Sequence, residues 1–218
     1  MGLGRLGLIC SCFFLFGSVA SAATFMFSGV FTQDDNQAYF MMTLNSPQAV
    51  TIQTTSYATG GFAPVLSIFG DPSFGTGDPS LLGTNSGGSP CGVRTANSTT
   101  GLCLDALLGY DSNLGTNQLG TLSAGDYLVV ITEQDNVPNG PDLAAGFLSD
   151  GQGNFTAVPG VNPGPFVDPS DPSITDTGVW TIQFLNADDV TEVPELSTSV
   201  LMFAGLGVIA VVRRRRAA

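Results

Sequence analysis

The sequence predicts an all-β fold of the antiparallel sandwich type, and three observations predict it. Glycine and proline are frequent, with 28 and 13 copies in 218 residues. Sustained helical periodicity is scarce. Short runs of β-branched and aromatic residues are instead separated by turns of Asp, Asn, Gly and Pro. The interval 23–191 holds about 170 residues, enough for one domain with its own core.

Each strand has its own signal. Residues 24–31 open the domain, and residues 38–44 follow an acidic turn at Asp34, Asp35 and Asn36. In residues 49–57, Val50, Ile52 and Thr54 alternate with Thr51, Gln53 and Thr55, which predicts one buried and one wetted face. Residues 64–69 are almost wholly apolar and read as an inner strand. In residues 126–133, Tyr127, Val129 and Ile131 alternate with Leu128, Val130 and Thr132, so both faces are expected to be covered. Residues 178–186 carry the only tryptophan, Trp180, on one face with Ile182 and Phe184, and this strand is expected to close the sandwich. Between the last two of these strands, residues 136–176 are turn-rich and aperiodic. They read as a long insertion ordered around Phe147, Phe155 and Phe166.

Charge separates the ends of the chain from its middle. There are 18 acids, 6 cations and no histidine, for a formal net charge of -12, and every cation is an arginine. Arg5 lies near the start, Arg213, Arg214, Arg215 and Arg216 lie at the end, and Arg94 alone lies among the acids. Without histidine or lysine the chain cannot build a Ser-His-Asp or Cys-His centre, an imidazole zinc site, a Schiff-base lysine or a P-loop. An acidic middle also argues against nucleic acid as a partner.

The two ends read as addresses. Arg5 precedes an apolar run over residues 6–19, and Ala20-Ser21-Ala22 then supplies the small residues that signal peptidase accepts before Ala23. Residues 1–22 are therefore a signal helix, whose apolar core over residues 6–19 is shorter than the ~20 residues a span needs. Near the other end, residues 198–212 are apolar or small throughout and are followed by the four arginines. With Leu196 in front and arginine stems that snorkel, residues 196–212 can cross a bilayer. The positive-inside rule places tail residues 213–216 in the cytoplasm and the acidic domain outside.

The order Val193-Pro194-Glu195, then a short apolar helix, then an arginine cluster resembles the PEP-CTERM sorting signal of exported bacterial proteins. The family motif has a second proline where this chain has Leu196. The resemblance covers residues 193–218 and implies sorting by a membrane-embedded exosortase, after passage through the Sec translocon and signal peptidase. It also implies a Gram-negative, exopolysaccharide-producing host, with an inner-membrane intermediate and a cell-surface or extracellular destination. Residues 192–218 are assigned to this signal, and residues 23–191 to the secreted domain.

A second resemblance concerns the domain itself. An acidic stretch before an aromatic strand (FTQDDNQAYFMMTL), a VTI strand, a P-x-L-x-[IVL]-[FY] strand and an L-x-A-G-x-Y turn fall at 31–44, 50–52, 64–69 and 122–127. They look like the bacterial pre-peptidase C-terminal type of domain, which implies a jelly-roll-like β-sandwich and no particular activity.

Candidate chemistry is sparse. Cys91 and Cys103, the only cysteines remaining after signal cleavage, flank a polar loop and are expected to form a disulfide, contributing about 3 kcal/mol by the chain-entropy model. Two acidic clusters are candidate calcium ligands: Asp34, Asp35 and Asn36, and Asp135 with Asn136 and Asp142, with Asp71 or Asp78 completing either. The same residues are ordinary turn formers. Outside the sorting tail the only glutamates are Glu133 and Glu192, a poor basis for a glycosidase pair. Tyr39, Tyr57, Tyr110 and Trp180 are candidate sugar-stacking platforms, or else core. The sequence thus points to a non-enzymatic surface or matrix protein with a structural or adhesive role in exopolysaccharide or biofilm. A calcium-dependent carbohydrate-binding module is the alternative.

Overall fold

The structure is a computed structural model that describes residues 23–70 and 78–193. The signal helix with Ala20 and Ala22, Asp71, and the C-terminal segment with Pro194, Glu195, the 196–212 span and Arg213–Arg216 lie outside the described residues.

Among the described residues, ten strands form two antiparallel sheets. They are β1 (Thr24–Val30), β2 (Ala38–Leu44), β3 (Thr51–Thr54), β4 (Pro64–Gly70), β5 (Ser80–Asn85), β6 (Leu107–Asp111), β7 (Thr116–Asn117), β8 (Gly125–Glu133), β9 (Val179–Leu185) and β10 (Asp189–Val193). Sheet A runs β1-β9-β3-β6-β7 and sheet B runs β10-β2-β8-β4-β5. The all-β sandwich is therefore as expected.

Period-2 patterning selects the inner faces. Phe40, Met42 and Leu44 of β2 meet Ile52 of β3, Leu66 and Ile68 of β4, Val129 and Ile131 of β8, and Trp180, Ile182 and Phe184 of β9 in one core. Phe40 packs edge-on against Trp180 at 5.7 Å between ring centroids. Gly29, cross-strand partner of Trp180, is what lets the indole lie flat over β1, since a Cβ there would come within 2.3 Å of the ring. All of β4 is buried, and β8 is buried from Tyr127 through Glu133, as their composition predicts.

Three expectations change. β9 does not close the sandwich: it lies inside sheet A between β1 and β3, and β10 follows it on the edge of sheet B. The strand expected over 49–57 ends at Thr54, because Asp105 accepts the N–H groups of Tyr57 and Ala58 and turns the chain into a 3-10 turn at Tyr57–Thr59. The domain also runs past residue 191. Glu192 and Val193, assigned to the sorting segment, pair with Phe40 and Tyr39 in β10.

The insertion between β8 and β9 is built from successive turns and short bridges, including Pro138 with Phe147 and Val167 with Thr175. It has two points of attachment. Phe147 packs edge-on to Phe69 at 6.3 Å and joins Leu128 and Val130 in a second apolar cluster on the outer face of sheet B. Phe166 stacks on Phe62 at 5.3 Å, and Phe62 stacks on Phe31, closing one end of the main core. Phe155 is only partly buried.

Candidate functional site

The acidic turn before β2 is a clasp for the insertion. Asp34 is fully buried, and Thr156 donates its N–H (2.8 Å) and hydroxyl (2.6 Å) to Oδ2 while the Phe166 N–H donates to Oδ1 at 2.6 Å. Asp35 accepts the Gly153 N–H at 2.9 Å. Asn36 turns inward on its own loop, accepting from the N–H groups of Thr32 and Gln33. These bonds hold Phe166 at φ 56, a left-handed conformation that costs a bulky residue about 1–3 kcal/mol. Asp34 thus fixes the ring that plugs the core.

The second acidic group is built differently. Asp135 donates its N–H to Glu133 and accepts the Ser149 hydroxyl at its carbonyl, while Asn136 Oδ1 accepts the Ser149 N–H. Asp142 bridges to Ser80, and Asp78 accepts the Ala144 N–H. Among the described residues no three His, Cys, Asp or Glu side chains converge as metal ligands would. Asp34, Asp35 and Asp78 thus accept backbone donors of the insertion and its neighbouring turns, and Asp142 accepts the Ser80 hydroxyl.

Two buried carboxyls carry perturbed acidity that the sequence did not signal. Burial pushes Glu133 up to about 8, against two backbone N–H groups that favour its charged form and with Asp135 and Asp34 adding to the rise. Burial, reinforced by neighbouring Asp168, pushes Asp176 up to about 7. Asp176 Oδ2 has no hydrogen-bond partner among the described residues, whereas Asp168 accepts the Tyr57 hydroxyl at 2.9 Å. The Tyr57 hydroxyl is itself pushed up to about 12, chiefly by burial.

The disulfide joins Cys91 to Cys103 across a Cα–Cα distance of 5.3 Å. Arg94 organises the loop it closes, donating to the carbonyls of Cys91, Gly88, Pro90 and Asp105. A small pocket of about 210 Å³ lies between this loop and β3, with Thr54, Thr55, Arg94 and Asp105 in its walls. Arg94 and Asp105 are both engaged in holding backbone there.

A larger groove of about 530 Å³ opens between the edges of the two sheets. Gly29 and Val30 of β1, Gln37, Trp180, and Glu192 and Val193 of β10 line it. The indole N–H of Trp180 is buried with no acceptor among the described residues. The groove thus offers a buried donor and one exposed carboxylate, Glu192, beside Val193 at the end of the described residues.

The proposed sugar platforms separate under this geometry. Tyr57 and Trp180 are core, Tyr39 is half-buried, and Tyr110 alone of the four is broadly exposed, at 48%. Ala23, the expected new N-terminus, is exposed next to β1, and its carbonyl accepts the Asn186 N–H. Architecture and site define a disulfide-linked, acidic antiparallel β-sandwich. No protein-family model, curated protein or solved structure matches the chain.

Proposed function

We propose that this is an exported protein of a Gram-negative, exopolysaccharide-producing bacterium, sorted by an exosortase to the cell surface or extracellular matrix. Its role there is structural or adhesive, within exopolysaccharide or biofilm, and non-enzymatic. The observation that carries the reading is the fit between sandwich and signals. The first strand begins at Thr24, just after Ala20-Ser21-Ala22, and the last ends at Val193, just before Pro194-Glu195. Removing both ends would leave every described strand intact. The disulfide suits the oxidising compartment this route implies. A jelly-roll-like lineage of the pre-peptidase C-terminal type belongs to the same proposal. So do the 196–212 span and its cytoplasmic arginines, which would hold the precursor in the inner membrane.

Intact mass spectrometry of the protein from the native envelope and medium tests this. A species starting at Ala23 and ending near Glu195 is expected. A mature chain that retains residues 198–218 would remove the exosortase step.

A further inference from the structure

The sandwich has four sheet edges, and three of them carry protection against pairing with another strand. β7 is two residues long. β10 carries Asp189 and Glu192. β5 is covered where the insertion crosses it: Ser80 bridges Asp142, Leu81 donates to the Pro141 carbonyl, and Leu143 donates to the Pro79 carbonyl. Short length, charge and a covering loop are the standard devices that keep an edge from recruiting a strand.

β1 has none of these. It is seven residues long (TFMFSGV), without charge or proline, and no described strand pairs with its outer side. Its ladder with β9 shows which groups are free. Phe31 donates to the Gly178 carbonyl and Asn186 donates to the Ala23 carbonyl, so the odd-numbered residues bond toward β9. The N–H and C=O of Thr24, Met26, Ser28 and Val30 therefore point away from the sheet. The side chains of these four are exposed, Met26 at 61% and Val30 at 67%.

We propose that β1 is a self-association edge, pairing antiparallel with β1 of a second copy so that two five-stranded sheets become one of ten. The strand's own pattern is self-complementary. Centring the two-fold axis on Ser28 sets Met26 opposite Val30 of the second copy, covering both exposed apolar side chains twice over. Charge also selects this edge. The described residues carry 16 acids against one arginine, so contact between copies is least opposed on a strand without acids. Dimerisation should accordingly tighten as salt rises.

The test uses the full chain in detergent, with oligomeric state followed by sedimentation equilibrium. A dimer is expected, weakened about tenfold or more by Ser28→Lys, which sets like charges opposite each other at the axis. Met26→Lys should act in the same direction. Both variants should melt with the wild type, because these side chains are exposed. Ser28→Cys should form an intermolecular disulfide, since paired Cα atoms at the axis lie about 5.5 Å apart; Thr191→Cys on β10 should not. A monomer at high micromolar concentration would overturn the proposal. So would a dimer indifferent to Ser28→Lys, or one cross-linked through Thr191→Cys in place of Ser28→Cys.

Discussion

The two sheets share one core but differ on their outer faces. Sheet B presents Phe69, Leu128 and Val130 outward, and the insertion covers them with Phe147 and Leu143. Sheet A presents Ser28, Gln53, Thr181 and Gln183 across its middle, with Gln53 donating to Gln183 at 3.0 Å, and among the described residues no such apolar cluster forms over it. Apolar area on an outer face demands a lid, whereas a face of hydroxyls and amides is stable in water. The insertion is thus a third layer whose position was set by the composition of β4 and β8.

Phe147→Ala is the most direct way to break this contrast. Removing the ring from the covered face should cost about 3–4 kcal/mol in chemical denaturation, whereas Met26→Ala on the open face should cost under about 0.5 kcal/mol. Equal losses would mean the insertion is not a structural layer. Reducing the Cys91–Cys103 bond should cost about 3 kcal/mol or less, since Arg94 keeps part of the loop in place, and calorimetry with and without reductant measures it.

Asp34→Ala should cost about 2–3 kcal/mol, because it strands three donors and releases Phe166 from its left-handed conformation. Limited proteolysis should then cut first within residues 136–176. Cleavage elsewhere would separate Asp34 from the insertion.

The smallest expected effect is on pH dependence. Glu133 and Asp176 titrate near 8 and 7 when folded, above the ordinary carboxylate range. Between about pH 4.5 and 8 the folded protein therefore binds more protons than the unfolded chain, and stability falls as pH rises. The loss should reach about 2 kcal/mol, less than the full shifts imply, because Asp176 is only partly screened from water. Glu133→Gln should flatten the upper half of the profile. A melting temperature that rises from pH 5 to pH 8 would contradict both assignments.

Legibility followed the strength of local pattern. β2, β4, β8 and β9 each carry enough alternating or continuous apolar residues to stand out, and Trp180, Ile182 and Phe184 do share a buried face. β5 and β6 are interrupted by Gly83 and Gly109, and β7 is too short to show a period. β10 reads as an acidic linker because only Val190 of its five residues is buried. Those strands exist through cross-strand pairing, which one-dimensional periodicity does not encode. The carboxylates were harder still. Asp34 and Asp135 look alike in sequence, yet one is fully buried under three donors and the other is exposed.

By itself, the sequence determined the all-β class, the inward face of β9, the pairing of Cys91 with Cys103, and the exclusion of histidine- and lysine-dependent chemistry. These follow from residue type and from side-chain direction alternating every residue along a strand. Tertiary structure alone decided that β9 lies inside its sheet, that the insertion covers sheet B, that Asp34 serves as a clasp, and that no described strand pairs with the outer side of β1. Each of these depends on which distant segments meet, and that is settled by burial and by the pairing of backbone donors with acceptors across the whole chain.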